Sequence, residues 1–263
     1  MPRNIKLTIE YDGTEFEGWQ VQGPRHRTVQ GEIQKALRKI FKRDIVLVGS
    51  GRTDSGTHAL GQAANFKAET SMPAEEMVRA LNANLPADIA VLAAAEVPDG
   101  FHAQFNAKSK TYRYTILNRP VRCACLRKLA FHVPYPLDAT LMRREGQVLV
   151  GRKDFRSFMA SDTAEKMKPG EKDTVRTIRR LSVKKEGPWI SIDVESDGFL
   201  YKMVRNIVGT LIEIGSGKLP SGSMRKILLQ KDRGYAGDTA PARGLCLVTV
   251  RYPDKKQKAR PGK

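Results

Sequence analysis

The strongest constraint on this chain is the order in which two hydrophobic periods alternate along it. Period-two stretches read as strands, and stretches with apolar residues three and four apart read as helices. Residues 5–11 alternate as a strand, and residues 28–41 place Val29, Ile33, Leu37, Ile40 and Phe41 on one helical face with Thr28 as N-cap. A strand over 45–49, a strand over 62–68, a helix over 73–85 opened by Pro73 and a strand over 89–97 complete a β-α-β-β-α-β set. The rest broadly repeats it: a strand over 110–118, a helix over 137–150, a short segment at 155–159, and a hairpin of 175–185 and 189–195 turning at Glu186-Gly187-Pro188. A strong helix over 199–214, a shorter one around 224–231 and a strand over 244–252 close the chain. This order is the ferredoxin-like one, also used by RNA-binding sheets. The expected fold class is α+β: two ferredoxin-like, RRM-like halves, 1–106 and 107–253, with their sheets side by side and a cleft between them. One fused domain fits the same pattern. Residues 254–263, basic and without apolar periodicity, read as a disordered tail, and 161–175 as a surface insertion.

Charge points to the partner. The chain carries 46 Lys and Arg against 28 Asp and Glu, a net +18 that attracts polyanions and speeds their association. Nucleic acid is the natural partner, with an anionic membrane surface or simple solubility as the other meanings of such charge. Between residues 101 and 130 there are seven bases (Lys108, Lys110, Arg113, Arg119, Arg122, Arg127 and Lys128) and no acid. Phe101, Phe105, Tyr112 and Tyr114 lie among them, a mixture suited to phosphate neutralisation and base stacking. A solvated linker has the same composition. Tyr112 and Tyr114 share one strand face, so one at least is expected to pack.

The stretch with the densest chemistry is Gly51-Arg52-Thr53-Asp54-Ser55-Gly56-Thr57-His58-Ala59, just past the 45–49 strand. Gly56 and Gly61 mark a tight turn rather than a continued strand. A carboxylate beside an arginine is held ionised by it. Thr-Asp in a loop also serves as a turn, and Arg-x-Asp as a surface ion pair. On a strongly basic chain the nine residues together favour chemistry on a polyanion. Tyr201 and Arg205, four apart on the strong helix, are expected to share a face beside its apolar stripe.

Other chemistries find no pattern. Three cysteines (Cys123, Cys125 and Cys246) form no Cys-x-x-Cys, and Cys246 reads as a small buried residue. His26, His58, His102 and His132 lack metal-ligand spacing, so no metal is expected. Neither a phosphate-binding glycine loop nor a nucleophile elbow occurs, so no nucleotide cofactor is expected. The chain opens directly on a strand pattern without an apolar signal core, and no apolar run approaches membrane-spanning length. A soluble, cytoplasmic protein is expected.

Several further segments occur in a recognisable order: Tyr11-Asp12-Gly13-Thr14, Gly18-Trp19-Gln20, Thr28-Val29-Gln30, the 51–59 loop, Asn82-Ala83-Asn84-Leu85-Pro86, Phe101-His102-Ala103, Tyr112-Arg113-Tyr114, Met203-Val204-Arg205-Asn206-Ile207-Val208-Gly209, and Ala240-Pro241 with Gly244-Leu245. From residue 5 to about 253 the chain resembles the tRNA pseudouridine synthase A (TruA) family. It departs from that pattern at Thr57, where many members have valine, and at Tyr201-Lys202, where some have histidines. The resemblance implies isomerisation of uridine to pseudouridine without cofactor or metal, at nucleotides 38, 39 and 40 of the tRNA anticodon stem–loop, by a homodimer. It makes Asp54 the reactive carboxylate, acting at the ribose by attack on C1′ or by removing the 2′ proton. Arg205 then pairs with Asp54, and Arg52 contacts RNA backbone or the displaced loop. Tyr112 stacks on the target base and helps remove its C5 proton, Leu245 lines the apolar wall, and His58 joins the substrate-binding set. The target base must leave its stack, at a cost of a few kcal/mol. A non-catalytic RRM-like RNA-binding protein fits charge and element order but gives Arg52-Thr53-Asp54 no role. A pseudouridine synthase for another RNA site is the closer alternative.

Clustered positive charge without readout motifs predicts salt-sensitive RNA binding. Log affinity is expected to fall against log salt with a slope of about −0.7 to −0.9 per phosphate contacted, measured by titrating labelled tRNA at several salt concentrations. A salt-independent affinity would remove the electrostatic reading.

Overall fold

The computed structural model describes residues 2–23, 25–160 and 173–253; the 254–263 tail and most of the 161–175 insertion lie outside them. In chain order the elements are β1 (Arg3–Tyr11), α1 (Val29–Phe41), β2 (Val48–Gly49), β3 (His58–Ala68), α2 (Ala74–Asn82), β4 (Ile89–Val97), β5 (Ser109–Asn118) and β6 (Phe131–Val133). There follow α3 (Ala139–Gln147), β7 (Gly151–Asp154), β8 (Val175–Glu186), β9 (Trp189–Ser196), α4 (Met203–Gly215), α5 (Ser223–Gln230) and β10 (Leu245–Arg251). The described residues are thus mixed α+β, with five α-helices and mostly antiparallel strands.

The chain divides into two compact units, one taking residues up to Lys110 and again from Leu247, the other Thr111–Cys246. The first contains the strand order β4-β1-β3-β10, with the two-residue β2 also on β3. Antiparallel register sets Leu7 of β1 opposite Ala64 on one side and Ala94 on the other. Period two sends Ile5, Leu7, Ile9 and Tyr11 to a buried face. Val29, Ile33 and Leu37 of α1, and Met77 and Leu81 of α2, are buried with them. Thr28 caps α1 as its residue type predicts, its Oγ1 accepting from the Gly31 N–H at 3.2 Å.

The second unit contains the order β5-β9-β8-β7, with β6 parallel to β5. Its core joins Leu181, Val183, Ile190, Ile192 and Val194 from the β8–β9 hairpin with Ile207, Leu211 and Ile214 of α4 and Met142 of α3. Every expected apolar position of α4 from Met203 to Ile212 is buried. The hairpin turns at Gly187, whose φ is +55°.

Five features differ from the sequence expectations, each for a local reason. Only Val48–Gly49 of the 45–49 run is strand, because the Gln34 and Gln30 side chains of α1 donate to the Ile45 and Leu47 carbonyls at 3.2 and 2.8 Å. Those carbonyls are satisfied without a ladder. Gly61 is not a turn residue but lies inside β3, where a Cβ would come within 2.5 Å of the Val248 carbonyl oxygen. The strong helix begins at Met203 rather than 199, since Lys202 sits at φ +57°. Tyr201 therefore precedes the helix and shares no helical face with Arg205. Cys246 is half-buried rather than buried. The division at residue 106 follows chain order, whereas compactness returns the last strand from Leu247 to the first unit. There the Lys108 N–H donates to Arg251 O at 2.8 Å, and the Tyr252 hydroxyl to Ala103 O at 2.7 Å.

Gly209 of α4 faces Asp238, whose carbonyl oxygen a Cβ would overlap and whose carbonyl carbon it would approach to 2.9 Å. Alanine improves helix propensity by about 1 kcal/mol, but forcing an atom into packed backbone costs roughly 1–3 kcal/mol or more. Gly209→Ala is accordingly expected to destabilise the protein in denaturant unfolding. Gly100→Ala, where nothing lies within 4 Å of the added carbon, should stay within about 0.5 kcal/mol of the parent.

Candidate active site

In the first unit the 51–58 loop is held by its backbone. The Trp19 N–H donates to Thr53 O at 3.1 Å, and the Gly56 N–H and Ser55 hydroxyl donate to Phe16 O at 3.3 and 3.2 Å. Within the loop the Thr57 N–H donates to Asp54 O at 3.1 Å, a turn that Gly56 completes at φ +74°. Thr53 Oγ1 and the Tyr11 hydroxyl hydrogen-bond at 2.8 Å in the interior. The 11–19 segment reaches this closely only because Gly13 and Gly18 lack side chains. A Cβ on Gly13 would overlap the Thr57 carbonyl, and one on Gly18, itself at φ +91°, would stand 2.7 Å from Thr53 O. The same segment is anchored to α1, with the Val29 N–H donating to Gly18 O and the Gln30 N–H to Trp19 O. Three motifs apart in sequence thus form one support for the half-buried Asp54.

A polar network carries the entry to the loop. The fully buried Gln62 donates from Nε2 to Gly51 O at 3.0 Å, and its Oε1 accepts from Ser50 Oγ at 2.6 Å and from the Ala63 N–H at 3.1 Å. The Ser50 N–H donates to Ala63 O at 2.7 Å. Sequence reading missed Gln62, since a glutamine in an alternating strand carries no signal of its own. His58 is buried, and its Nδ1 accepts from the Gly13 N–H at 3.1 Å. The same Nδ1 lies 3.1 Å from Asp12 Oδ1. Arg52 is exposed.

The second unit holds Tyr112, Arg205 and Leu245. Tyr112 is buried, with the Phe199 ring edge-on at a centroid distance of 5.1 Å. Tyr114 is fully buried, its hydroxyl donating to Pro241 O at 2.7 Å, and burial pushes its pKa well above the usual tyrosine value. Of the two tyrosines on that strand face, Tyr114 is therefore part of the core. Arg205 is bound to residue 240 twice: its Nε donates to Ala240 O at 2.7 Å, and the Ala240 N–H donates to Arg205 O at 3.1 Å. Asn206 beside it donates to Phe158 O and accepts from the Thr239 hydroxyl. The 238–241 strap, with Pro241 taken by Tyr114, thus sets the place of Arg205. Leu245 is buried. Asp54, Arg52 and His58 belong to one unit and Tyr112, Arg205 and Leu245 to the other.

The basic stretch is less uniform than its composition. Arg113 forms a two-pronged pair with Asp193 of β9, Nε–Oδ1 at 2.7 Å and Nη2–Oδ2 at 2.9 Å, which keeps it always charged and occupied. Arg119 donates to the Val121 carbonyl and Arg127 to that of Ala124. Lys110 is half-buried against Gly51. Phe101 packs on Tyr252, while the exposed Phe105 stacks on His102 at 4.2 Å. The Phe101-His102-Ala103 turn is held from below by Asn4 and Asn65, which bind Phe101 O and the Ala103 N–H.

Among the described residues no group of three or more His, Cys, Asp or Glu side chains is placed to hold a metal ion, and no helix is long and apolar enough to cross a membrane. Residues 7–106 and 147–253 match the family model described as tRNA pseudouridine synthase. Over 250 residues the chain is 44% identical to the tRNA pseudouridine synthase A of Thermoanaerobacter sp. (strain X514), covering 95% of this chain and 100% of that one. It is 45% identical over 249 residues to the protein of the same name from Moorella thermoacetica, covering 94% and 99%. A third, from Halalkalibacterium halodurans, is 45% identical over 244 residues, covering 92% and 90%.

Thr57 Oγ1 is the one buried side-chain oxygen or nitrogen without a hydrogen-bond partner among the described residues. Thr57→Val keeps the shape and removes the unpaired hydroxyl, so it is expected to stabilise the protein by about 1 kcal/mol in chemical unfolding. Tyr114→Phe, which strands the Pro241 carbonyl, should instead destabilise it by about 1–3 kcal/mol. A destabilised Thr57→Val would mean that the hydroxyl has a partner after all.

Proposed function

This chain belongs to the tRNA pseudouridine synthase family, and from that premise we propose that Asp54 is the carboxylate with which it converts uridine to pseudouridine in tRNA. The observation that carries this assignment is the double backbone grip on the 53–56 turn, which presents the loop's one carboxylate half-buried. The reaction breaks the C1′–N1 bond, forms a C1′–C5 bond, removes the proton on C5 and returns one to N1. Substrate and product are isomers, so no oxidant or reductant enters the balance. A carboxylate is needed at the ribose, either to attack C1′ or to take the 2′ proton.

In this reading Arg205 is the partner of Asp54, as the family resemblance implies, and Ala240 O holds its Nε. Tyr112 stacks on the target base, and its hydroxyl takes part in removing the C5 proton. Leu245 forms an apolar wall, and Arg52, exposed beside Asp54, meets the RNA backbone. His58 serves the site through Gly13, whose N–H it accepts, and so positions the 11–19 support. Each unit is read as a ferredoxin-like half. The β4-β1-β3 order with β2 on the far edge of β3 supports that for the first. The substrate is the anticodon stem–loop at nucleotides 38, 39 and 40, and the protein acts as a cytoplasmic homodimer, as the family resemblance implies.

Unmodified tRNA transcripts incubated with the protein alone, then mapped chemically for pseudouridine, test both activity and position. Asp54→Asn has nearly the parent's shape but cannot act at the ribose. It is expected to fold, to bind tRNA like the parent and to form no pseudouridine. Folding is checked first, because an arginine left buried without its partner can cost about 3–5 kcal/mol. Conversion at a comparable rate would end the assignment of Asp54. Tyr112→Phe keeps the ring and should slow turnover by about 10²- to 10⁴-fold with affinity retained. Near-parental turnover would reduce Tyr112 to a stacking surface. Light scattering that finds a fully active monomer would exclude the dimer.

A further inference from the structure

Lys110, the second residue of β5, is counted with the first unit although most of that strand belongs to the second, and its side chain lies over Gly51, where the 51–58 loop begins. A Cβ on Gly51 would stand 2.7 Å from Lys110 Nζ and 3.5 Å from Cε. The glycine is thus what leaves room for an ammonium at this place. Gly51 O is already satisfied by Gln62 Nε2 from the other side, so the loop is fixed while the cation lies against it.

The lysine lacks the partner that a half-buried cation normally has. Among the described residues no carboxylate pairs with it and no carbonyl accepts from it. Burial alone depresses its pKa below the ordinary lysine value, with no raising contribution from an acid. Two other half-buried cations show the usual compensation: Arg27 pairs with Asp88, and Arg3 with Glu96 and the carbonyls of Thr70 and Met72. A partly desolvated ammonium with three donors and no anion is an unfavourable arrangement unless a ligand supplies the anion. Its neighbour across Gly51 is the exposed Arg52, also without an ion pair among the described residues.

We infer that Lys110 is a substrate-positioning residue that binds a backbone phosphate of the RNA strand at the Gly51–Asp54 loop. The inference rests on the reading of that loop as the site. A lysine acts on phosphate as a point charge, so it fixes the strand beside Asp54 without reading sequence. The 45 other Lys and Arg residues can attract RNA. Lys110 differs in that its stem is held by the loop that also presents the carboxylate.

The test uses the full chain and an unmodified anticodon stem–loop transcript. Lys110→Met keeps the packing stem without the charge, and Lys110→Arg keeps the charge. The methionine variant is expected to bind RNA on the order of 10-fold more weakly, the effect of losing one charged hydrogen bond. Its salt slope should be shallower by about 0.7 to 0.9, and the arginine variant should restore it. Transcripts carrying one neutral methylphosphonate linkage at a time locate the contact. One linkage should weaken the parent protein and leave the methionine variant unaffected. If every linkage weakens both proteins equally, or if the slope is unchanged, the phosphate contact is wrong. A changed pH profile with an unchanged slope would also overturn it, because the lysine would then act on Asp54 and not on RNA. Should Lys110→Met fail to fold, protection of Lys110 from acylation by bound transcript in the parent protein decides the matter, and lack of protection refutes the contact. A parent protein that forms no pseudouridine would instead fail the underlying reading of the site, which is a separate result.

Discussion

Backbone-to-backbone hydrogen bonding between the 11–19 segment and the 51–57 loop is the interaction on which the rest of the site depends. Main-chain groups of Phe16 and Trp19 meet those of Thr53 and Gly56 with no side chain between them. Side chains can change rotamer, whereas a carbonyl bonded in a turn moves only if the turn opens. Asp54 is therefore positioned by the least adjustable part of the molecule. On the proposed assignment, such preorganised geometry lowers a barrier that a mobile carboxylate would have to meet anew at each turnover.

The second unit follows the same logic with different parts. Arg205 is a long side chain, and on a helix surface its guanidinium would sample many positions. The Nε hydrogen bond to Ala240 O restrains it, and the strap is fixed in turn by Ala240 N–H on Arg205 O, by Tyr114 on Pro241 and by Asn206 on Thr239. Buried polar groups here hold one another, so no residue of the chain from Tyr114 to Arg205 can change alone.

Much of this was legible in the sequence, and what was not has physical reasons. Strand and helix periods found nearly every element, because half-buried elements must carry them. The 45–49 run misled because apolar residues reveal burial and not what satisfies the backbone; two glutamine side chains do what a neighbouring strand would have done. Gly61 looked like a turn residue because glycine signals close approach and turning alike. The tie between Tyr201 and Arg205 failed at Lys202, whose left-handed backbone no propensity scale anticipates. Of the candidate site, Asp54 drew notice by its charge in a glycine-rich loop, whereas Arg205 read as an ordinary flank of its helix and was singled out through the family resemblance. Gln62, Asn4 and Asn65 drew no notice, since a buried amide is recognised only by the groups it bonds. The seven bases of 101–130 were counted as one patch, and only coordinates separate Arg113, locked to Asp193, from its neighbours.

The grip on the reactive loop also says how this catalytic element can travel. Its nine residues have no self-sufficient shape: Thr53, Ser55 and Gly56 take their places from Phe16 and Trp19, and those from Gly18, Val29 and Gln30. A graft of 51–59 into another scaffold would carry the reactive group without the frame that aims it. The transplantable module is instead discontinuous, joining 11–31 to 48–63. Drift in either piece is tolerated only when the other permits it, so the two are expected to be inherited as one block across any lineage that keeps the chemistry.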